Sequence, residues 1–217
     1  WWHYDFLGAL DGVKLIEVNQ GIQFTGVQTK AEAPHVMSKL GSKHHPHIEH
    51  FKFLKANTKK TPKMAIPSPS MLHYRGGRKL INMGVYPKME DFYHDLGMAY
   101  REVVTGFADA GCRYLQLDDC SFAYLCDESI CQQIANDGED PKRLPQLYTQ
   151  IVNTLVAKRP ANMTVTIHTC RGNHQSMWMA EGGYDAVAEA FFTEADVDGF
   201  FLEYDTERAG GFEPLRF

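Results

Sequence analysis

The sequence predicts an α/β fold with a parallel sheet closed as a barrel. Three observations predict it. Amphipathic helical patterns alternate with short apolar strand patterns; the strands run into polar residues at what would be their carboxyl ends; and no glycine-rich phosphate loop of the dinucleotide kind follows any of them. The nearest glycine pair, Gly76-Gly77 between Arg75 and Arg78, lacks the spacing and strand context of such a loop. The 217 residues are read as one barrel domain, 1–217, with a hairpin and a His-rich insertion at about 12–50. The abrupt ends of the chain suggest a fragment, with the barrel incomplete.

Taken in order, Gly12–Val18 and Ile22–Val27 around Asn19-Gln20-Gly21 predict a hairpin. Residues 30–50 are polar, and His44, His45, His47 and His50 lead into a helix over Ile48–Ala56. Pro46 interrupts that cluster and no Cys or carboxylate pair accompanies it, so a solvated loop is expected rather than a metal clamp. Lys63–Ile66 reads as a strand entering Pro67-Ser68-Pro69-Ser70. Met89, Phe92, Leu96, Ala99, Tyr100, Val103 and Phe107 form the stripe of a long helix that Gly111 ends. Tyr114–Leu117 then stops at Asp118-Asp119. A helix built on Leu144, Leu147, Ile151 and Leu155 ends by Pro160, and the β-branched run Thr164–Ile167 stops at His168. Tyr184, Val187 and Phe191 mark a third helix, followed by Gly199–Leu202 and Glu203.

Composition bounds the function. Apolar residues make up 44%, charged residues 23% and aromatics 12%, which disfavours disorder and fibrous folds. Lys and Arg total 22 against 27 Asp and Glu, a net charge of −5 with no long run of either sign, so no nucleic-acid or anionic-membrane surface is expected. No apolar run reaches the ~20 residues of a membrane span, and Trp1-Trp2-His3-Tyr4-Asp5 lacks a signal-peptide pattern. A soluble, cytoplasmic protein is expected. The five cysteines, an odd number, are expected to be reduced.

In parallel α/β folds, ligands gather at the carboxyl ends of the strands. Ser68, Asp118, Asp119, His168, Cys170 and Glu203 are therefore expected to converge. Imidazole, thiolate and carboxylate together are zinc ligands, and three protein ligands with an open fourth place make a catalytic pattern. An H-x-C tripeptide taken alone is weak, because a buried Cys beside a strand is more often a small core residue. Cys126 and Cys131 read as structural rather than as half a metal site. Arg75 and Arg78 read as solvating a loop, the alternative being contact with an anionic tail of a ligand. Trp1, Trp2 and Phe6 are expected to be packing residues without their partner segment.

Three stretches carry a family resemblance. Gly111-Cys112-Arg113-Tyr114-Leu115-Gln116-Leu117-Asp118-Asp119 is similar to the G-C-x-x-x-Q-x-D-[ED] strand of cobalamin-independent methionine synthases. Ile167-His168-Thr169-Cys170-Arg171-Gly172-Asn173 resembles their H-x-C segment, and Phe200-Phe201-Leu202-Glu203-Tyr204-Asp205 their glutamate-bearing strand. With Met71–Arg78, the resemblance is closest to the shorter single-barrel members. It implies a (β/α)8 barrel with Zn2+ at its carboxyl-end face. His168, Cys170 and Glu203 map onto three catalytic zinc ligands, and Asp118 onto the carboxylate that receives the substrate ammonium. The fourth ligand, a Cys, is expected beyond Phe217. The implied partners are a small-molecule thiol, homocysteine or a relative, and a methylated folate donor. A related alkyltransferase acting on another thiol such as coenzyme M, or a non-catalytic barrel fragment, are the alternatives. Asn173-His174-Gln175-Ser176 is a departure from the long methionine synthases.

Overall fold

A computed structural model describes residues 1–19, 22 and 31–217. Its strands are β1 (Asp11–Glu17), β2 (Glu32–Gly41), β3 (Met64–Pro67), β4 (Tyr114–Asp119), β5 (Thr164–Thr169) and β6 (Gly199–Leu202). The helices are α1 (Trp2–Gly8), α2 (His47–Ala56), α3 (Ser70–Tyr74), α4 (Met89–Asp109), α5 (Ser121–Tyr124), α6 (Glu128–Asn136), α7 (Leu144–Val156) and α8 (Ala188–Glu194).

The architecture rests on a four-stranded sheet in the order β3-β4-β5-β6, parallel throughout. Its crossovers run through α4, α7 and α8, as the helix-then-strand recurrence requires. The described strands form this open parallel sheet and a separate antiparallel pair; they do not close on themselves as a barrel.

Strand alternation sorts the sheet's side chains. Leu115, Leu117, Val165 and Ile167 are buried in one core with Val103 and Phe107 of α4 and Val152 and Leu155 of α7. Gln116, Asp118 and His168 point to the opposite face and are half-buried. Burying the four aliphatic side chains stabilises the sheet by ~1.5–3 kcal/mol each relative to exposure. The long helix α4 begins with Glu90 and Asp91, whose charges suit its N-terminus. It stops where Gly111 turns left-handed at φ 90°, with Cys112 N–H bonded to Phe107 O and Gly111 N–H to Ala108 O.

Several expectations change. The predicted second hairpin strand, 22–27, falls almost wholly outside the described residues; β1 pairs antiparallel with β2, from Glu17↔Glu32 to Asp11↔Gly41. Residues 32–41, read as part of a polar loop, are thus a strand, because pairing with β1 supplies what their own pattern lacks. His45 and His47 are buried against Phe6 rather than solvated, with ring centroids 4.1 and 5.2 Å from the Phe6 ring. Phe6 itself is fully buried, also against Tyr100, and is core; Trp1 and Trp2 remain exposed. The third helix pattern splits into a 3-10 turn at Tyr184–Ala186 and α8. No described helix is long and apolar enough to cross a membrane.

Candidate metal centre

β5 delivers His168 at its carboxyl end and Cys170 just beyond it, while Glu203 follows β6 directly. Because β5 and β6 are parallel and in register, His168 opposite Phe201, their carboxyl ends coincide. One donor atom from each of His168, Cys170 and Glu203 lies within 4.8 Å of the other two. Among the described residues this is the one such group of three or more. All three side chains are half-buried, which leaves the centre reachable.

The surroundings fix each donor. His168 Nδ1 donates to Phe201 O at 2.9 Å, leaving Nε2 as the donor to a metal. Cys170 N–H donates to Asp119 O at 2.7 Å, anchoring its backbone to β4. Glu203 N–H donates to the Tyr184 hydroxyl at 3.3 Å, and that hydroxyl also meets Thr169 Oγ1 at 2.8 Å. Arg208 Nη2 stands 3.9 Å from Glu203 Oε2.

The electrostatics suit a soft-metal site. The Cys170 thiol is pushed down to about 4 by hydrogen bonding from Cys120, then by His168, both acting against burial. His168 is pushed up to about 9, chiefly by Cys170. Glu203 is raised by burial and by the Cys170 charge. The two shifts together favour a thiolate at Cys170 beside an imidazolium at His168. Imidazole, thiolate and carboxylate are a zinc donor set, so the residues present fit such an ion.

Asp118 stands opposite His168 in the β4/β5 register, accepts a hydrogen bond from Gln116 Nε2 at 2.6 Å, and has its pKa raised by burial. Asp119 and Ser68 do not join it. Alternation turns the fully buried Asp119 to the helical side, where it accepts from Ser70 Oγ, from Ser121 Oγ at 2.8 Å and from Phe122 N–H at 2.9 Å. Ser68, also fully buried, receives Ser70 Oγ at 3.1 Å. Cys126 and Cys131 are structural: their thiols donate to Phe122 O and Leu125 O, each at 3.3 Å.

Two residues near the centre went unread in the sequence. Cys120 follows Asp119 as Cys170 follows Thr169, its register mate, so the parallel pairing itself carried the signal. Arg171 is fully buried, stacked 4.7 Å over the Tyr184 ring, and no spacing rule marks it.

Fold and site define a parallel α/β protein with a His/Cys/Glu candidate metal centre at the carboxyl ends of its strands. No family model matches the sequence. It is 48% identical over 218 residues to the uncharacterized protein YxjG and 45% identical to the uncharacterized protein YxjH, both of Bacillus subtilis (strain 168). All of this chain is covered in both comparisons, and it spans 57% of each relative's length. Among solved structures, a Listeria monocytogenes protein provisionally named a vitamin-B12-independent methionine synthase matches with a TM-score of 0.71 at 36% identity, over 96% of this chain and 55% of its own. A B12-independent methionine synthase from Shewanella sp. W3-18-1, solved with selenomethionine, shares the fold at a TM-score of 0.65 and 16% identity, over 97% of this chain and 56% of its own. The Listeria likeness supports kinship with the B12-independent methionine synthases.

Proposed function

We propose that this chain is part of a zinc-dependent thiol methyltransferase barrel of the B12-independent methionine synthase family, moving a methyl group from a methylated folate to homocysteine or a closely related thiol. One observation carries the reading: His168, Cys170 and Glu203, three donors of the right chemistry, converge within 4.8 Å at the carboxyl ends of adjacent parallel strands. Kinship with the Listeria protein supports the reaction class.

His168, Cys170 and Glu203 would hold Zn2+, with a cysteine outside residues 1–217 as the fourth protein ligand. Zn2+ bound there would hold an incoming thiol deprotonated, and so nucleophilic, at neutral pH. The chain's own residues prepare the place. The surroundings of Cys170 lower its pKa and favour the thiolate, and the Phe201 carbonyl orients the His168 ring. Asp118, one strand away from the centre, offers a carboxylate for the substrate ammonium at a fixed distance from the sulfur. Partial burial of Asp118 and of the three donors strengthens that ion pair relative to open water.

The test is metal content and methyl transfer measured on the full-length protein and on Cys170→Ser. Loss of zinc together with loss of transfer is expected, because a hydroxyl is a poor ligand for a soft-metal site. Zinc retained in Cys170→Ser, or transfer without any metal, would refute the assignment.

A further inference from the structure

Beside the centre lies a cavity of about 590 Å³, walled by α3 and its following turn on one side and by α6, Tyr148 and Met179 on the others. That is the size of a small-molecule site. Arg75 lines it. The sequence reading placed this residue in a solvated loop, yet its Nε is buried without a hydrogen-bond partner. Its guanidinium carbon lies 5.8 Å from the ring centroids of both Tyr74 and Tyr124, and no carboxylate of the described residues is paired with it.

Three acids line the cavity, Glu32, Asp137 and Glu139, and none of them is ion-paired with Arg75. Asp137 is ion-paired with Lys79, and Glu139 Oε1 stands 3.6 Å from His73 Nε2. Arginine stays charged at any relevant pH, so a partly desolvated guanidinium with open donors is costly unless an anion completes it. Arg171 is also buried with unpartnered nitrogens, but it is fully sealed and does not line this cavity. Among the described arginines with a buried, unpartnered nitrogen, Arg75 is the one that lines this cavity. Its charge also acts on Cys120, and Cys120 and Cys170 follow the paired residues Asp119 and Thr169 on adjacent strands, so Cys120 lies between the cavity's cationic wall and the candidate metal centre.

We propose that Arg75 anchors a carboxylate-binding subsite in this cavity, its planar fork receiving a carboxylate of one of the two reactants. The ligand class rests on the methyltransferase reading. Two sources present that chemistry: the α-carboxylate of the amino-acid thiol, and the glutamyl tail of the methyl donor.

Equilibrium dialysis on the full-length protein separates them without turnover. One pair of probes is homocysteine and 3-aminopropanethiol; the other is 5-methyltetrahydrofolate and the N-methylamide of 5-methyltetrahydropteroic acid, in which an uncharged methylamide replaces the glutamate. Wild type is expected to prefer the carboxylate-bearing member of one pair by about tenfold or more. Arg75→Gln should abolish that preference, and Arg75→Lys, which keeps the charge without the fork, should retain part of it. The pair that responds names the source. Equal binding within both pairs by wild type, failure to bind either carboxylate-bearing probe, or a preference that survives Arg75→Gln overturns the subsite. If Arg75→Gln does not fold, an undiminished preference in Arg75→Lys does the same. A protein that shows the Arg75-dependent preference but transfers no methyl group would refute the function proposed above and leave the subsite standing.

Discussion

Gly97 of α4 meets Thr154 of α7 so closely that a Cβ at Gly97 would lie 2.7 Å from Thr154 Cγ2 and 3.1 Å from its Cβ. A glycine in a helix interior normally costs about 1 kcal/mol relative to alanine. Here it is what lets two crossover helices approach over the sheet. Gly97→Ala is therefore expected to destabilise the protein by about 1–3 kcal/mol despite alanine's better propensity, since Thr154 is β-branched and stiff. Urea unfolding checks it. Combining Gly97→Ala with Thr154→Ala should recover much of the loss; additive losses would mean the two side chains do not collide.

His45 is buried and uses both ring nitrogens in its neutral form: Nε2 donates to Phe6 O at 3.1 Å, and Nδ1 accepts from His47 N–H at 3.3 Å. Burial pushes its pKa down to about 4. The unfolded chain, with an ordinary value near 6.5, takes up the proton first as pH falls. Stability is therefore fully present above about 6.5 and is lost as pH drops toward about 4, by about 1.4 kcal/mol per pH unit for this group. Urea midpoints at pH 7 and 5 should fall by less in His45→Gln than in wild type. The comparison cancels His168, whose raised pKa acts in the opposite sense, its contribution being lost as pH rises toward 9. Identical pH dependence in the two proteins would exclude His45 as a source of acid lability.

How much of this was legible depends on the range of the contacts involved. The four parallel strands and their flanking helices announce themselves through local periodicity, and the strand ends carry His168, Cys170 and Glu203 together for that reason. Asp118-Asp119 looked like a pair in the sequence, yet the two-residue repeat of a strand sends them to opposite faces: Asp118 toward the centre, Asp119 toward the serines that begin α3 and α5. β2 was hidden because Pro34, His35 and Lys39 break its alternation, and only pairing with β1 makes it a strand. The burial of His45 and His47 depends on Phe6, some forty positions away, and nothing local encodes it. Arg75 in an R-G-G-R turn reads as exposed; only the tertiary packing of Tyr74 and Tyr124 encloses it.

The acidity of Cys170 depends first on Cys120. In metal-free protein, Cys170 should react with iodoacetamide well below the pH range of an ordinary thiol, because the thiolate is the nucleophile. Cys120→Ala removes the hydrogen bond to that thiolate and should move the alkylation profile of Cys170, followed by mass spectrometry of its peptide, to higher pH. Zinc should protect Cys170 in both proteins. An unmoved profile would exclude Cys120 as a group that stabilises the thiolate.

Asp118 and His168 are opposed in register, which places a carboxylate beside the centre without making it one of the three converging donors. Its role should then separate from metal binding. Asp118→Asn keeps the size of the side chain and its capacity to accept from Gln116, so the fold and zinc content are expected to be unchanged. What it removes is the negative charge opposite a substrate ammonium in a partly desolvated site, where losing one partner of such a pair costs several kcal/mol. The apparent KM for homocysteine should rise tenfold or more, while transfer to a simple alkyl thiol lacking the ammonium stays within a few-fold of wild type. Comparing kcat/KM for the two thiols in both proteins gives the answer. Equal losses for both would place Asp118 in support of the centre itself, and the homocysteine reading would lose the residue that recognises its amino group.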